Sequence, residues 1–144
     1  MITVKQLLKK RTGCVWTIAP QDSVYRALEV MAEHDVGALV VVAKEKIVGM
    51  FSERDYARNV VLKGKSSKDT SVSELMSSNV CYVRPEQTIE ECMALFTEKR
   101  VRHLPVLEME KLIGLVSIGD AVKQCLVDKE LKIQQLENYI TGCY

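Results

Sequence analysis

Two seven-residue segments carry the residues with the clearest potential for chemistry. Residues 49–55 and 114–120 share one pattern: glycine, two hydrophobic residues, serine, two variable residues and aspartate. A serine at a helix start offers a hydroxyl and nearby amides to a phosphate, and a carboxylate one turn later can accept ribose hydroxyls. Glycine at a strand end permits close approach of another group. Because Ser-x-x-Asp is also a capping box that needs only a helix start, the pattern alone supports binding and capping equally.

Cations lie close to this pattern in both halves of the chain. Arg102 and His103 stand at the start of a hydrophobic strand, where a cation beside an imidazole can contact phosphate oxygens. A lone histidine at a strand start is more often simply hydrogen-bonded, and the first half has Gly37-Ala38 at the equivalent place. Arg54 supplies a cation inside the first segment instead. We therefore expect two sites of different affinity.

An internal repeat places both segments in the same context. Residues 15–58 align with residues 80–123 without a gap, and eleven of the 44 positions are identical. The identities include proline, glycine, serine and aspartate, so an accidental match would not keep this register. Residues 3–8 also correspond to residues 71–76 after a shift of three positions. The chain is therefore a duplication followed by a tail.

Each copy predicts the order β-α-β-β-α. A short strand ends before a proline, Ser23 or Thr88 caps a helix with hydrophobic residues at helical spacing, and a hairpin with four connecting residues follows. Thr88 and Glu91 predict a capping box. Ser52 and Ser117 begin the second helix. The predicted strands are 15–18, 38–42 and 47–51 in the first copy, and 80–83, 103–107 and 112–116 in the second.

These elements predict a mixed α/β (α+β) fold in which two units pack about a pseudo-twofold axis. We assign residues 1–65 to the first repeat with its N-terminal segment, 66–126 to the second repeat, and 127–144 to a helical tail. The polar, turn-rich stretch 62–71 is the predicted linker.

The predicted last helix continues far beyond what the first copy requires. Hydrophobic residues step by four and three along it, with a break at Lys129, and Gly142 is a natural stop. The helix either packs on its own domain or mediates self-association, and we expect a homodimer. The residues of the seam are Val122, Leu126, Lys129, Ile133, Leu136 and Ile140.

Composition excludes several classes of function. The chain has 20 basic and 19 acidic residues, so its net charge of +1 argues against a nucleic-acid partner. The longest apolar run, Val36 to Ala43, is too short to cross a membrane. The start has no signal-peptide core, although the absence of acidic residues before Asp22 faintly resembles an organellar transit peptide. A cytoplasmic location, or an organellar matrix in a eukaryote, is expected.

Other candidate sites are weak. Gly64-Lys65-Ser66 resembles the end of a P-loop, but the earlier glycine is missing. The five cysteines form no CxxC pair and indicate reduced thiols, with Cys92 in the core and Cys143 exposed. Two histidines without spaced ligands predict no metal site. We therefore predict no catalytic residue and no catalytic cofactor.

The sequence resembles the CBS-domain family, whose members carry tandem pairs known as Bateman modules. The resemblance covers roughly residues 3–126 and is closest to small stand-alone pairs from bacteria and plant organelles. The residues that carry it are Ile18-Ala-Pro20, Val83-Arg-Pro85, Arg102-His103-Leu104-Pro105-Val106 and both Gly-to-Asp segments.

The resemblance implies adenosyl ligands, namely AMP, ADP, ATP, NAD(H) or S-adenosylmethionine, in clefts between the repeats. By position it implies that Asp55 and Asp120 hold ribose, that Ser52 and Ser117 lie near phosphate, and that Arg102 with His103 contacts phosphate. Gly37-Ala38 departs from the family pattern, which weakens the case for a polyphosphate there. Thr17-Ile18 and Tyr82-Val83 would flank the base, and the remaining expected binding residues are Ala38, Leu39, Glu53, Arg54, Leu104, Pro105, Ile118 and Gly119.

The expected function is a non-enzymatic regulatory module that senses adenine nucleotides and responds through a change in repeat or dimer packing. The alternative is a protein-interaction adaptor without a ligand that uses the C-terminal helix as its contact surface. The regulated target stays unidentified by the sequence.

Overall fold

The computed structural model describes residues 2–10 and 15–142, and Cys14 and Cys143 lie outside them. A short helix precedes the first copy, and the predicted β-α-β-β-α order follows. Its elements are α1 (Val4–Lys9), β1 (Thr17–Ile18), α2 (Val24–His34), β2 (Ala38–Ala43), β3 (Lys46–Ser52) and α3 (Glu53–Tyr56), which continues into a π-helical turn (Ala57–Val61).

The second copy repeats this order with one strand reduced. Its elements are α4 (Val72–Leu75), α5 (Ile89–Lys99), β4 (His103–Glu108), β5 (Lys111–Ser117) and α6 (Ile118–Thr141). The prediction of a strand at residues 80–83 is wrong. Of these four residues only Val83 pairs, in a single parallel bridge to Val106. In the first copy Thr17 and Ile18 pair with Val40 and Val41 as a two-residue strand.

The caps follow the sequence closely. The hydroxyls of Ser23, Ser52 and Ser117 each accept a backbone N–H three residues later, as predicted. Thr88 does the same for Glu91, but the predicted reciprocal bond is wrong, because the Glu91 carboxylate accepts from Gln87 Nε2 at 3.2 Å.

Both hairpins turn through two residues rather than the predicted four. Lys44 and Glu45 have φ of 51° and 66°, and Met109 and Glu110 have φ of 52° and 65°. Positive φ at both central positions is typical of a type I′ turn, whose twist matches the flanking strands. Neither turn uses the asparagine or glycine that this conformation favours, so both copies carry some backbone strain.

Glycine at Glu45 or Glu110 should therefore stabilise the protein. Relief of the left-handed conformation is worth about 1–2 kcal/mol, and the added chain entropy of glycine offsets about 0.5–1 kcal/mol. We expect Glu45→Gly and Glu110→Gly each to raise the melting temperature by about 1–3 °C in thermal unfolding. Glu108→Gly, in the extended part of the second hairpin, should lower it. A lower melting temperature in both turn variants would contradict this account.

The described chain divides into two compact units. One holds residues 15–81 and 108–113, with a core built around Val24, Leu39, Val41 and Phe51. The other holds residues 2–10, 82–107 and 114–142. Its buried residues include Val4, Ile89, Cys92, Phe96, Leu104, Val116 and Ala121.

The two short leading helices are exchanged between the copies. In α1, Val4 N–H and Lys5 N–H donate to the carbonyls of Gln87 and Pro85 in the second copy. In α4, Val72 N–H and Ser73 N–H donate to the carbonyls of Asp22 and Pro20 in the first. The acceptors are equivalent positions of the repeat. The sequence prediction grouped residues 1–65 together, and the structure instead packs α1 with the second copy, since that copy's turn supplies the acceptors.

The predicted linker is an ordered cap for α2. Val24 N–H donates to the Thr70 carbonyl and Tyr25 N–H to the Ser67 carbonyl, each at 2.9 Å. Lys68 Nζ lies 5.0 Å from the centre of the Tyr25 ring, a cation–π distance. The first amides of α2 are thus satisfied from outside the helix.

Candidate functional site

In the second copy the predicted residues converge on the start of α6. Ser117 ends β5 and caps α6, and Asp120 Oδ2 accepts the Ser117 N–H at 3.3 Å while Asp120 N–H donates to Ser117 Oγ at 3.1 Å. Ile118 N–H donates to the Arg102 carbonyl at 2.9 Å. This bond fixes the first residue of α6 against the residue that precedes β4, so Arg102, Ser117 and Asp120 are held in one place.

His103 lies in the same cluster. Burial lowers the pKa of its imidazole below 6.5, the nearby Arg102 guanidinium lowers it further, and the Asp120 carboxylate opposes both. The imidazole is therefore neutral at pH 7.

The first copy builds the same junction with different charges. Glu53 N–H donates to the Gly37 carbonyl at 3.1 Å, as Ile118 does to Arg102. Asp55 Oδ2 accepts the Ser52 N–H at 2.9 Å and the Ser52 hydroxyl at 3.1 Å. A Cβ on Gly37 would lie 3.7 Å from Glu53 Oε2, so a carboxylate occupies the region where the second copy has Arg102. Arg54 is exposed.

The capping interpretation of Ser-x-x-Asp is confirmed in both copies. The capping bonds are made by Oδ2 of each aspartate.

The expected role of the two glycines needs correction. A Cβ on Gly49 would lie 2.7 Å from Met76 Sδ and 2.9 Å from the Ser77 carbonyl oxygen, and one on Gly114 would lie 2.7 Å from Leu8 Cδ1. The close approach that glycine permits is therefore made by segments of the protein itself and not by a ligand.

The expected base-flanking residues lie beside the central strands. Thr17 is exposed, and Tyr82 is 50% exposed. Val83 N–H donates to the Pro105 carbonyl at 2.9 Å, which fixes the segment against β4. Several other expected binding residues have buried side chains, so only their backbone could meet a ligand. These are Ile18, Ala38, Leu39, Val83, Leu104 and Pro105.

Sequence reasoning missed two features near these residues. Trp16 stacks on His34 with ring centroids 3.4 Å apart, immediately before Thr17. No spacing rule links the two rings. The hydrogen bonds that the Gly37 and Arg102 carbonyls accept could have been predicted from the sequence, because the repeat places both residues at equivalent positions. A groove of about 490 Å³ contains none of the predicted binding residues and is lined by Ile2, Gln6, Lys9, Lys10, Gln124 and Asp128.

Other chemistry finds no support in the described residues. Cys92 is buried in the core, as predicted. Burial raises the pKa of its thiol to about 11, with Glu91 and Glu90 adding to the effect, so it is no nucleophile at neutral pH. Across residues 2–10 and 15–142, no three His, Cys, Asp or Glu side chains come together as metal ligands. In the same residues, no helix combines the length and hydropathy needed to span a membrane.

Comparison with known proteins identifies the family. The sequence model of the CBS domain matches twice, over residues 4–62 and 72–126. The mitochondrial CBS domain-containing protein CBSX3 of Arabidopsis thaliana is 40% identical over 128 residues, which cover 85% of this chain and 62% of that protein. This chain thus spans less than two thirds of that relative's length.

Solved structures agree in fold. A protein with CBS domains from Burkholderia ambifaria MC40-6 is 52% identical with a TM-score of 0.85, covering 88% of this chain and 96% of that one. Hypoxic Response Protein I, solved with two coordinated zinc ions, is 25% identical with a TM-score of 0.70, covering 86% and 99%. These relatives are named for CBS domains or a hypoxic response and not for an enzymatic activity. The chain therefore belongs to the CBS-domain family and carries two CBS domains in tandem.

Proposed function

We propose that this CBS-domain pair binds adenosyl nucleotides without turning them over and signals their presence through a change in packing or oligomeric state. The candidate ligands are AMP, ADP, ATP, NAD(H) and S-adenosylmethionine. The observation that carries the proposal is the duplicated junction. In both copies the backbone carbonyl of the residue before a strand, a capping serine and an aspartate meet at one helix N-terminus. Structural capping alone would not require the cation and imidazole that accompany it in the second copy.

The charged residues differ between the two copies, which supports different ligand preferences at the two sites. In the second copy, Arg102 and His103 flank the α6 N-terminus, whose positive end favours anions. A Cβ on Gly119 would meet only Ser117 Oγ, at 3.8 Å, so the second residue of α6 leaves room for a ligand. In the first copy, Glu53 lies beside Gly37, and the cation within the Ser-x-x-Asp segment is the exposed Arg54. Nucleotides with more phosphates should therefore prefer the second copy.

Signalling requires that the ligand bind two states of the protein with different affinities. The Arg102 carbonyl bond to Ile118 joins the proposed phosphate site to the start of α6. A ligand that displaces Arg102 would therefore also move the start of α6. This link is the proposed route from occupancy to response.

Nucleotide binding should appear as thermal stabilisation. A ligand present at a hundred times its Kd stabilises the folded state by about 2.7 kcal/mol, which corresponds to roughly 5–10 °C for a chain of this size. We expect at least one of the candidate ligands to raise the melting temperature at millimolar concentration. Absence of a shift with every one of them would contradict the proposal.

Asp120→Ala should abolish the shift that arises from the second copy, and Asp55→Ala the shift from the first. Both variants also lose a capping bond, which costs about 0.5–2 kcal/mol. Each shift is therefore measured against the variant's own ligand-free melting temperature. Thr88→Ala removes a comparable cap from α5 and should keep the full shift. If Asp120→Ala and Asp55→Ala also kept it, both aspartates would serve only as caps.

An interaction adaptor remains the second candidate, because α6 exposes hydrophobic residues such as Leu136 at 63% and Ile140 at 82%. An adaptor would lose its partner when this face changes, and a sensor would keep its nucleotide. Both candidate functions include a target protein that this chain would regulate. For location we propose the cytoplasm, or the matrix of an organelle, as in the plant relative that is named mitochondrial.

A further inference from the structure

The groove between α1 and the first half of α6 carries charged residues that the proposed nucleotide site does not use. Its volume of about 490 Å³ lies in the range of pockets that hold small molecules. Both helices belong to the same compact unit, so the groove lies within one packed body. Ile2, Gln6, Lys9 and Lys10 line it on the side of α1, and Gln124 and Asp128 line it on α6.

The α6 side of the groove is built around a buried amide. Gln124 is only 8% exposed, and its Nε2 donates to Asp128 Oδ1 at 3.0 Å. Burial of an amide is unfavourable unless the amide is hydrogen-bonded. Here the bond goes to a carboxylate of the groove lining, one turn further along the helix. Gln124 therefore acts as a positioning residue for Asp128.

The α1 side of the groove presents two cations. Lys9 and Lys10 lie at the C-terminal end of α1, and both are exposed. Within the described part of the chain, the ion pairs involve neither of these lysines nor Asp128. The groove thus holds two ammonium groups on one helix and a carboxylate on the other, and these charges do not neutralise one another by direct contact.

The repeated fold does not require these charges. When the alignment of the two copies is continued outward, the two lysines correspond to Ser77 and Ser78, and the groove aspartate corresponds to Lys63. The first copy therefore forms the same elements with uncharged residues in place of the cations and a cation in place of the carboxylate. The charge pattern of the groove is a property of the second copy alone.

We propose that this groove binds a small zwitterion with one free ammonium and one free carboxylate, the chemistry shared by α-amino acids and dipeptides. The ligand carboxylate lies against Lys9 and Lys10, and the ligand ammonium lies against Asp128. Asp128 would repel a simple anion and the lysines would repel a simple cation, so a ligand that carries both charges is favoured. The site goes beyond the proposed nucleotide binding and does not depend on it.

The first test is a nuclear magnetic resonance titration of ¹⁵N-labelled full-length protein with L-alanine and with alanyl-alanine. We expect at least one of them to shift the side-chain amide signal of Gln124, with a Kd of about 1–10 mM. The compound that binds more tightly distinguishes a free amino acid from a dipeptide. Acetylation of the ammonium or amidation of the carboxylate should weaken binding by about two- to fivefold.

Three outcomes of this titration would overturn the proposal. They are no shift of the Gln124 signal with either compound at about 10 mM, equal binding of the blocked forms, and an equal response to inorganic phosphate. The last result would make the groove a site for simple anions.

Charge-removing variants test the assigned contacts. Asp128→Asn keeps an oxygen acceptor for Gln124 Nε2 and removes the charge, and the double variant K9Q/K10Q removes both cations. Each should weaken binding of the zwitterion by about two- to fivefold. Glu130→Gln and Lys5→Gln are the matched controls, because both residues are exposed on the same two helices and lie outside the groove. Wild-type affinity in Asp128→Asn, or equal losses in the controls, would contradict the proposed contacts.

Discussion

Alanine at Gly49 should destabilise the protein by about 1–3 kcal/mol, the usual cost of forcing an extra carbon into a packed site. The added Cβ would lie 2.9 Å from the Ser77 carbonyl oxygen. That carbonyl cannot move away, because Met50 N–H donates to it at 2.9 Å and Ser77 N–H donates back to Met50 at 2.8 Å. The backbone of β3 or of the segment after α4 must therefore shift. We expect a melting temperature lower by roughly 3–10 °C.

Two other glycines serve as matched controls for the same substitution. At Gly114 the added Cβ would meet Leu8 Cδ1 and Cδ2, each at 2.7 Å. These atoms are the end of a half-buried, rotatable side chain, so Gly114→Ala should cost less than about 1 kcal/mol. Gly119→Ala, with open space in the first turn of α6, should be neutral or stabilising by up to about 1 kcal/mol. Equal losses at Gly49 and Gly114 would mean that backbone contact is not the cause.

The duplicated glycine also separates what the sequence could predict from what it could not. Ser52 with Asp55, and Ser117 with Asp120, form caps whose partners are three residues apart, so spacing alone was sufficient. Gly49 contacts residues that follow α4, and Gly114 contacts α1, which belongs to the opposite end of the chain. Local patterns do not encode such long-range packing. The sequence therefore marked both glycines correctly as sites of close approach but attributed the approach to a ligand.

The same distinction explains the reduced strand of the second copy. Residues 80–83 were expected to pair like residues 15–18, but only Val83 pairs with β4. Its N–H donates to the Pro105 carbonyl, and its carbonyl accepts from the Leu107 N–H. Pro105 stands where β2 has Val40, and a proline has no amide to donate. In the first copy Val40 is the register partner of Thr17, whereas in the second copy the proline leaves this position of the ladder without an amide donor. The proline was visible in the sequence, and its effect on the neighbouring strand could have been predicted.

In the candidate site, the sequence predicted the residue types but not their protonation. Arg102 and His103 were identified as possible phosphate contacts from their position before a hydrophobic strand. The burial that lowers the His103 pKa depends on the packing of β4 and α6, and so does the opposing effect of Asp120. As a result, the sequence could not show that the second copy has one permanent positive charge and one that depends on pH.

Protonation of His103 should make both the stability of the fold and the affinity for nucleotides depend on pH. As pH falls, stability should decrease and nucleotide affinity should increase. Because the folded pKa lies below the unfolded value of 6.5, the unfolded chain binds the extra proton first. The stabilising contribution is complete above pH 6.5 and is lost as pH falls from there through the folded pKa. A bound phosphate favours the imidazolium, so AMP affinity should rise as pH falls, by at most tenfold per pH unit for one proton. Calorimetric titration from pH 7.5 to 5.5 should show this rise for AMP and not for adenosine, and His103→Gln should remove both effects. If AMP and adenosine kept the same pH dependence in wild type and variant, His103 would have no contact with the phosphate.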